Sequence, residues 1–159
     1  MDGVKLMKSL KNILCKKKSI TPFILTQKYP IITNRIITVE TVVYKDKTVN
    51  VNTEWDTGAT YSSISIDLVQ TLNLKPIKRD NGVTVGGSYT ANVYEIIILL
   101  HKVYPVKVEA QAVSNINATG IDLLIGMDVI SLGDFAVSNY HKNTYFSFRI
   151  PSQNHIIFK

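Results

Sequence analysis

Residues 48–60 read TVNVNTEWDTGAT. In Thr48–Trp55, Val49 and Val51 alternate with polar neighbours, the period-two pattern of a half-buried strand. Asp56–Thr60 (DTGAT) breaks that pattern. The order places a carboxylate at the end of a rigid element, where a group that activates water has to be held. Gly58 lets backbone approach a substrate or partner closely, and the Thr57 hydroxyl can stiffen the turn. Taken alone, the tetrapeptide also fits an ordinary tight turn with a surface Asp.

The flanking text is strand language: runs rich in Val, Ile, Thr and Tyr, separated by turn residues. Upstream, Arg35–Tyr44 reads as a strand that pairs with 48–55 across Lys45-Asp46-Lys47. Downstream, Ser65–Leu74 reads as a short helix with Ser65 as its cap and Ile66, Val69 and Leu72 on one side. Beyond Pro76, Val83–Val85 and Ser88–Leu100 flank Gly86-Gly87 as a hairpin. Tyr104–Val113 is another strand, and Asn115–Gly120 a loop. Asp122–Gly126 (DLLIG) is a short buried strand, followed by a helical stretch, Met127–Leu132, stopped by Gly133. Asp134–Ser138 and Thr144–Ile150 form a last hairpin across Asn139–Asn143. Short strands with one or two short helices predict a closed all-β domain.

The chain has 159 residues, enough for one domain with its own core and short for two. Apolar residues are 45% and charged residues 19%, which argues against wholesale disorder. The net charge of +6 is local: residues 1–20 hold six lysines and one acid, leaving 12 basic against 11 acidic residues elsewhere. The excess belongs to a tail, so the folded body lacks the basic face that nucleic-acid binding needs. We expect a basic, partly helical extension over residues 1–30 and the folded domain over 31–159. Val4, Met7, Leu10 and Leu14 give the tail an apolar stripe compatible with a membrane-surface helix. No run is apolar enough for a secretory signal or a transmembrane helix. The single cysteine, Cys15, excludes an internal disulfide and a multi-cysteine zinc site, and agrees with a cytoplasmic location. His101, His141 and His155 lack metal-ligand spacing and read as surface or hairpin residues. Asp128 reads as an acid in a first helical turn.

Three motifs in order carry a resemblance: DTGA at 56–59, VGG at 85–87 and LLIG at 123–126. Over residues 34–150 the chain resembles the retropepsin-like, or retroviral-type, aspartic proteases. It is most similar to bacterial and phage-type members through Gly126-Met127-Asp128 and Gly133-Asp134-Phe135. The resemblance implies a closed β-barrel of the acid-protease fold, working as a twofold homodimer without metal or cofactor. It implies catalysis by Asp56, Thr57 and Gly58. Two Asp56 carboxylates, one per protomer, would share a proton and activate one water against a peptide bond. Thr57 would bond across the axis, and Gly58 would accept hydrogen bonds from the substrate backbone. Ala59, Thr60, Thr84, Val85, Gly86 and Gly87 would contact the peptide, the last four on a flap that closes over it.

The sequence departs from the family at three points. The flap lacks a glycine just before its tip. Thr60 replaces a common second Asp. Glu54 stands two residues before Asp56, where an apolar residue is usual; alternation puts both on one side, where their charges would repel unless the turn re-aims one of them. Glu54 and the flap favour a rival reading, a peptide-binding or dimerisation module that keeps the fold without turnover. The intact Asp-Thr-Gly favours the enzyme. His155–Lys159 (HIIFK) is apolar enough to add an interface strand.

Overall fold

A computed structural model of the chain describes residues 21–84 and 87–155. The lysine-rich tail, Cys15, Val85, Gly86 and residues 156–159 of the expected interface strand lie outside the described residues. The strands are β1 (Phe23–Tyr29), β2 (Ile36–Tyr44), β3 (Lys47–Trp55), β4 (Ser63–Ser65), β5 (Lys78–Thr84), β6 (Gly87–Leu100), β7 (Tyr104–Val113), β8 (Leu123–Ile125), β9 (Asp134–Tyr140) and β10 (Asn143–Ile150). Helix α1 spans Ile66–Leu72, and α2 spans Met127–Ile130.

Seven strands run in the order β2-β3-β8-β4-β7-β6-β5, and β2 also pairs with β6 through Thr41↔Leu99, Val42↔Ile98 and Val43↔Ile97. That pairing closes a six-stranded barrel, leaving β5 outside as the second arm of a hairpin with β6. The expected all-β closed barrel with two short helices is what the chain forms. Inward residues alternate along the strands, and Val42, Ile98, Leu100, Leu123 and Ile125 are fully buried.

A second sheet, β1-β10-β9, lies against the barrel. Along β10 the pattern is strictly alternating, with Thr144, Phe146, Phe148 and Ile150 buried. Phe146 and Phe148 sit 5.0 and 4.9 Å from the ring of Trp55, fastening this sheet to the end of β3. Such aromatic pairs add about 0.5–1.5 kcal/mol each beyond area burial. The sheet also changes the expected boundary at residues 30 and 31. Phe23–Tyr29 is a strand paired with β10 from Phe23↔Ile150 to Tyr29↔Thr144, because Leu25 reaches the core and Phe23 stacks on Tyr104 at 5.2 Å. On the far strand, Asp134 takes the Ser152 hydroxyl, the Gln153 N–H and the Arg149 guanidinium, which together hold its carboxyl well below the usual range.

Other elements depart locally from expectation. In α1 the buried residues are Leu68 and Leu72, four apart, while Ile66 is exposed. The Ser65 hydroxyl caps the helix by accepting the Leu68 N–H. Asn115–Gly120 contains a short 3-10 turn over Ile116–Thr119. The last hairpin turns on only His141 and Lys142, both at positive φ, so its strands run longer than 134–138 and 144–150. His101 occupies a similar turn between β6 and β7.

Candidate active site

The site begins with two parallel strands ending at the same edge. β3 pairs with β8 through Thr53↔Leu123, Glu54↔Leu124 and Trp55↔Ile125, so Asp56 and Gly126 leave the sheet side by side. Asp56 donates its N–H to the Ile125 carbonyl at 2.9 Å, a ladder bond that fixes where the carboxylate starts. Behind it, the indole N–H of Trp55 donates to the Thr38 hydroxyl at 3.0 Å. Thr38 in turn donates to Glu40 Oε1 at 2.6 Å, and Glu40 Oε2 accepts the His101 N–H at 2.6 Å. Glu40 is completely buried, and burial pushes its pKa above the ordinary value.

The Asp56 side chain is half-buried, and its Oδ1 accepts the Gly58 N–H at 2.8 Å. A Cβ at position 58 would stand 3.1 Å from that oxygen, so glycine keeps the carboxylate uncrowded. Thr57 and Gly58 are exposed, and the Thr57 hydroxyl makes no hydrogen bond among the described residues.

The segment after Asp56 is tied to α2. Met127 N–H donates to the Ala59 carbonyl at 2.8 Å, and Asp128 N–H to the Thr60 carbonyl at 3.1 Å. Ser62 is fully buried between them. Its hydroxyl donates to Asp128 Oδ1 at 2.8 Å and accepts the Gly126 N–H at 3.2 Å, while its own N–H donates to Asp128 Oδ2 at 3.1 Å. Asp128 therefore sits in the first helical turn, as read from the sequence, and also clamps the loop that carries Asp56. Gly126 is required by close approach: a Cβ there would lie 2.7 Å from the Tyr61 carbonyl carbon.

Glu54 is engaged by Arg35, with Nε and Nη2 each 2.8 Å from a carboxylate oxygen. This fork places a cation on the charge that was expected to repel Asp56.

A cavity of about 760 Å³ opens beside Asp56. It brings together Asp56, Gly58, Ala59 and Thr60, four of the expected site residues. Gly87 is exposed in the β5–β6 hairpin at φ +120°, a backbone conformation that suits glycine. Thr84 pairs with Gly87 at the end of that hairpin. Further walls that the sequence did not single out include Tyr61, Ser63, Tyr89, Gln111, Ile116 and Leu124. Gln111 lies in β7 between exposed-reading Lys107 and Glu109 on one side and small residues on the other, so nothing in its neighbours marks it as a site residue. A second cleft of about 350 Å³ also borders Asp56, lined by Arg35, Glu54, Thr57, Phe135 and Val137 among others.

The aspartyl protease family model matches residues 40–129. No curated protein matches the sequence. Among solved structures, a retropepsin-like aspartic protease from Rickettsia conorii aligns at TM-score 0.52 and 12% identity, over 82% of this chain and 96% of that one. EIAV protease in complex with the inhibitor HBY-793 aligns at TM-score 0.45 and 17% identity, over 64% and 92%. The retroviral protease-like domain of Ddi1 from Leishmania major aligns at 0.42 and 14%, over 69% and 93%. The match to the family model spans more than half of the chain and contains the Asp-Thr-Gly loop, the clamp residue Ser62 and Gly126: this chain belongs to the aspartyl protease family, with a retropepsin-like fold.

Proposed function

We propose that the chain is an aspartic endopeptidase whose active centre is completed by a second copy of itself. The observation that carries this reading is Asp56, half-buried at the end of β3, bordering a cavity large enough for peptide side chains and held by one backbone donor. The sequence contains one Asp-Thr-Gly, and the reaction needs two carboxylates on one water. A twofold axis beside Asp56 supplies the second. Two carboxylates about 3 Å apart cannot both ionise, so the pair holds one proton and titrates as a unit. The ionised member takes a proton from water as it attacks the scissile carbonyl carbon. The protonated member donates to the carbonyl oxygen, and the pair then delivers a proton to the leaving nitrogen as the C–N bond breaks.

Thr57 and Gly58 are exposed on the isolated chain, as residues facing an axis and a peptide would be. Val137 is exposed on the cleft that also borders Asp56, next to half-buried Phe135, giving the second copy an apolar contact. The β5–β6 hairpin, with Thr84 and Gly87 at its described end, acts as the flap over an extended peptide. The Arg35 fork on Glu54 removes one ground for a module without turnover, since the added acid is paired.

The test is cleavage of a diverse peptide library across pH 4–7 by wild type and by Asp56→Asn, with the oligomeric state followed by sedimentation. Specific cleavage by a dimer, lost in the variant, is the expected result. A dimer that cleaves nothing overturns the enzymatic reading in favour of a binding module.

A further inference from the structure

Among the walls of the Asp56 cavity, one group is built for hydrogen bonding and lacks a full set of partners. Gln111 is buried, with 5% of its surface exposed. Its backbone N–H donates to the Ser62 carbonyl at 3.1 Å, and its side-chain Oε1 accepts the Tyr89 hydroxyl at 2.7 Å. The other end of the carboxamide, its NH2, has no hydrogen bond among the described residues. No buried side-chain nitrogen or oxygen among the described residues lacks a partner, so this NH2 keeps contact with solvent at the cavity wall, and a ligand that covers it must supply an acceptor or leave it unpaired.

The carboxamide is held in place. Gln111 lies opposite Val93 on β6, and Tyr89 precedes Ala91 and Val93 on the same face. The Tyr89 ring covers Gly82 on β5, where a Cβ would come within 2.2 Å of a ring carbon. Glycine at 82 thus lets the ring lie flat across the hairpin and carry its hydroxyl to Gln111.

The chemistry of the walls narrows what can bind. Ser63, Asn81 and Ser114 are neutral and polar; Val113, Ile116 and Leu124 are apolar; among the described residues, Asp56 is the one charged residue lining the cavity. An acidic side chain would meet no cation there and would be repelled by Asp56. A purely apolar one would leave the Gln111 NH2 unpaired. A Gln or Asn side chain offers an apolar stem to the aliphatic wall and a carbonyl oxygen to the donor.

We propose that Gln111 is a specificity-determining residue, donating from its carboxamide to the side-chain carbonyl of a Gln or Asn in the bound peptide. This rests on the peptidase reading of the same cavity. A site built to hydrogen-bond its ligand rejects analogues that leave its buried polar groups unpaired more strongly than an apolar pocket rejects a missing methylene.

The test separates binding from turnover. Full-chain Asp56→Asn protein is titrated with octapeptides carrying Gln, Leu or Glu at each position in turn, and Kd is read by fluorescence anisotropy. At one position, Gln is expected to bind about tenfold to hundredfold more tightly than Leu or Glu. Adding Gln111→Leu should erase that preference while the Leu peptide binds at least as well as before. Tyr89→Phe keeps the ring over Gly82, frees the carboxamide to turn and should narrow the preference; it decides the matter if Gln111→Leu does not fold. An unchanged Gln preference in these variants overturns the proposal. So does a parent protein with no Gln preference, including one that binds none of the peptides. Gln preference without cleavage by the Asp56 protein refutes the peptidase reading alone, and cleavage without Gln preference refutes this inference alone.

Discussion

Asp56 and Glu40 are carboxylates on paired strands, and they meet opposite fates. Asp56 follows Trp55, the last residue of β3, keeps contact with a cavity and accepts one backbone N–H. Glu40 lies within β2, is fully buried and accepts two donors, the Thr38 hydroxyl and the His101 N–H. The first is held by its backbone and left open at its oxygens. The second is closed on every side and supports Trp55, the residue before Asp56, through Thr38. Reactivity on this fold comes from placing a carboxylate where the strand stops, and rigidity from burying one where the strand continues.

Exchanging the two effects is the most direct way to break that comparison. Asp56→Asn is expected to lower kcat/KM by at least ~10³-fold. It should leave the thermal unfolding midpoint close to wild type, because Asn can still accept the Gly58 N–H. A large loss of stability in this variant would mean that Asp56 is a structural residue like Glu40.

Gly126→Ala sharpens the role of the shared strand edge. Its methyl would press on the Tyr61 backbone and the Ala59 carbonyl, which cannot yield as a side chain does. We expect destabilisation of about 1–3 kcal/mol by urea titration, with cleavage reduced further as the loop carrying Asp56 is displaced. Wild-type stability would show that the loop tolerates a wider gap.

Glu40→Gln should act on stability first. One carboxamide end must face a donor, the Thr38 hydroxyl or the His101 N–H, at a cost of about 1–3 kcal/mol. The pH dependence has a definite sign. Burial raises the folded pKa of Glu40 above its ordinary 4.5, so the folded state holds the proton more tightly. That contribution is complete below the unfolded pKa and is lost as pH rises through the folded value. Urea titrations from pH 4 to 8 should show this decline in wild type and its absence in Glu40→Gln. An identical slope in both would exclude Glu40 as its source.

The smallest effect belongs to Arg35. Its fork on Glu54 is about one-third exposed, so Arg35→Gln should cost no more than about 1 kcal/mol. The released Glu54 charge should move the acid limb of the pH–rate profile upward by disfavouring a second negative charge nearby. A profile that does not move would mean that Glu54 does not sense the catalytic pair.

Legibility from sequence followed the range of the interactions involved. The hairpin β2–β3 was readable because Val49 and Val51 alternate and Lys45-Asp46 turns. Tyr104–Val113 was readable to the residue, since its apolar and charged positions alternate from Val106 to Ala110. On α1 the expected face holds at Leu72 and in part at Val69 but not at Ile66, because four hydrophobic residues fit two helical faces and only packing selects Leu68 with Leu72. β1 was missed because Phe23–Tyr29 buries little beyond Leu25 and gains its strand from β10, far along the chain.

The sequence by itself determined the all-β class, the order of the short motifs DTGA, VGG and LLIG, and the candidate carboxylate at Asp56. Those are local: they depend on period-two burial, turn residues and one tetrapeptide. Only the tertiary structure decided that Ser62 and Asp128 clamp the Asp56 loop, that Arg35 takes up Glu54, and that Gln111 is buried beside the cavity. Gln111 has the strand parity of exposed Lys107 and Glu109, and reads as a surface residue until β4 and Tyr89 cover it. Its burial depends on chain segments more than twenty residues away, and no local pattern carries that information.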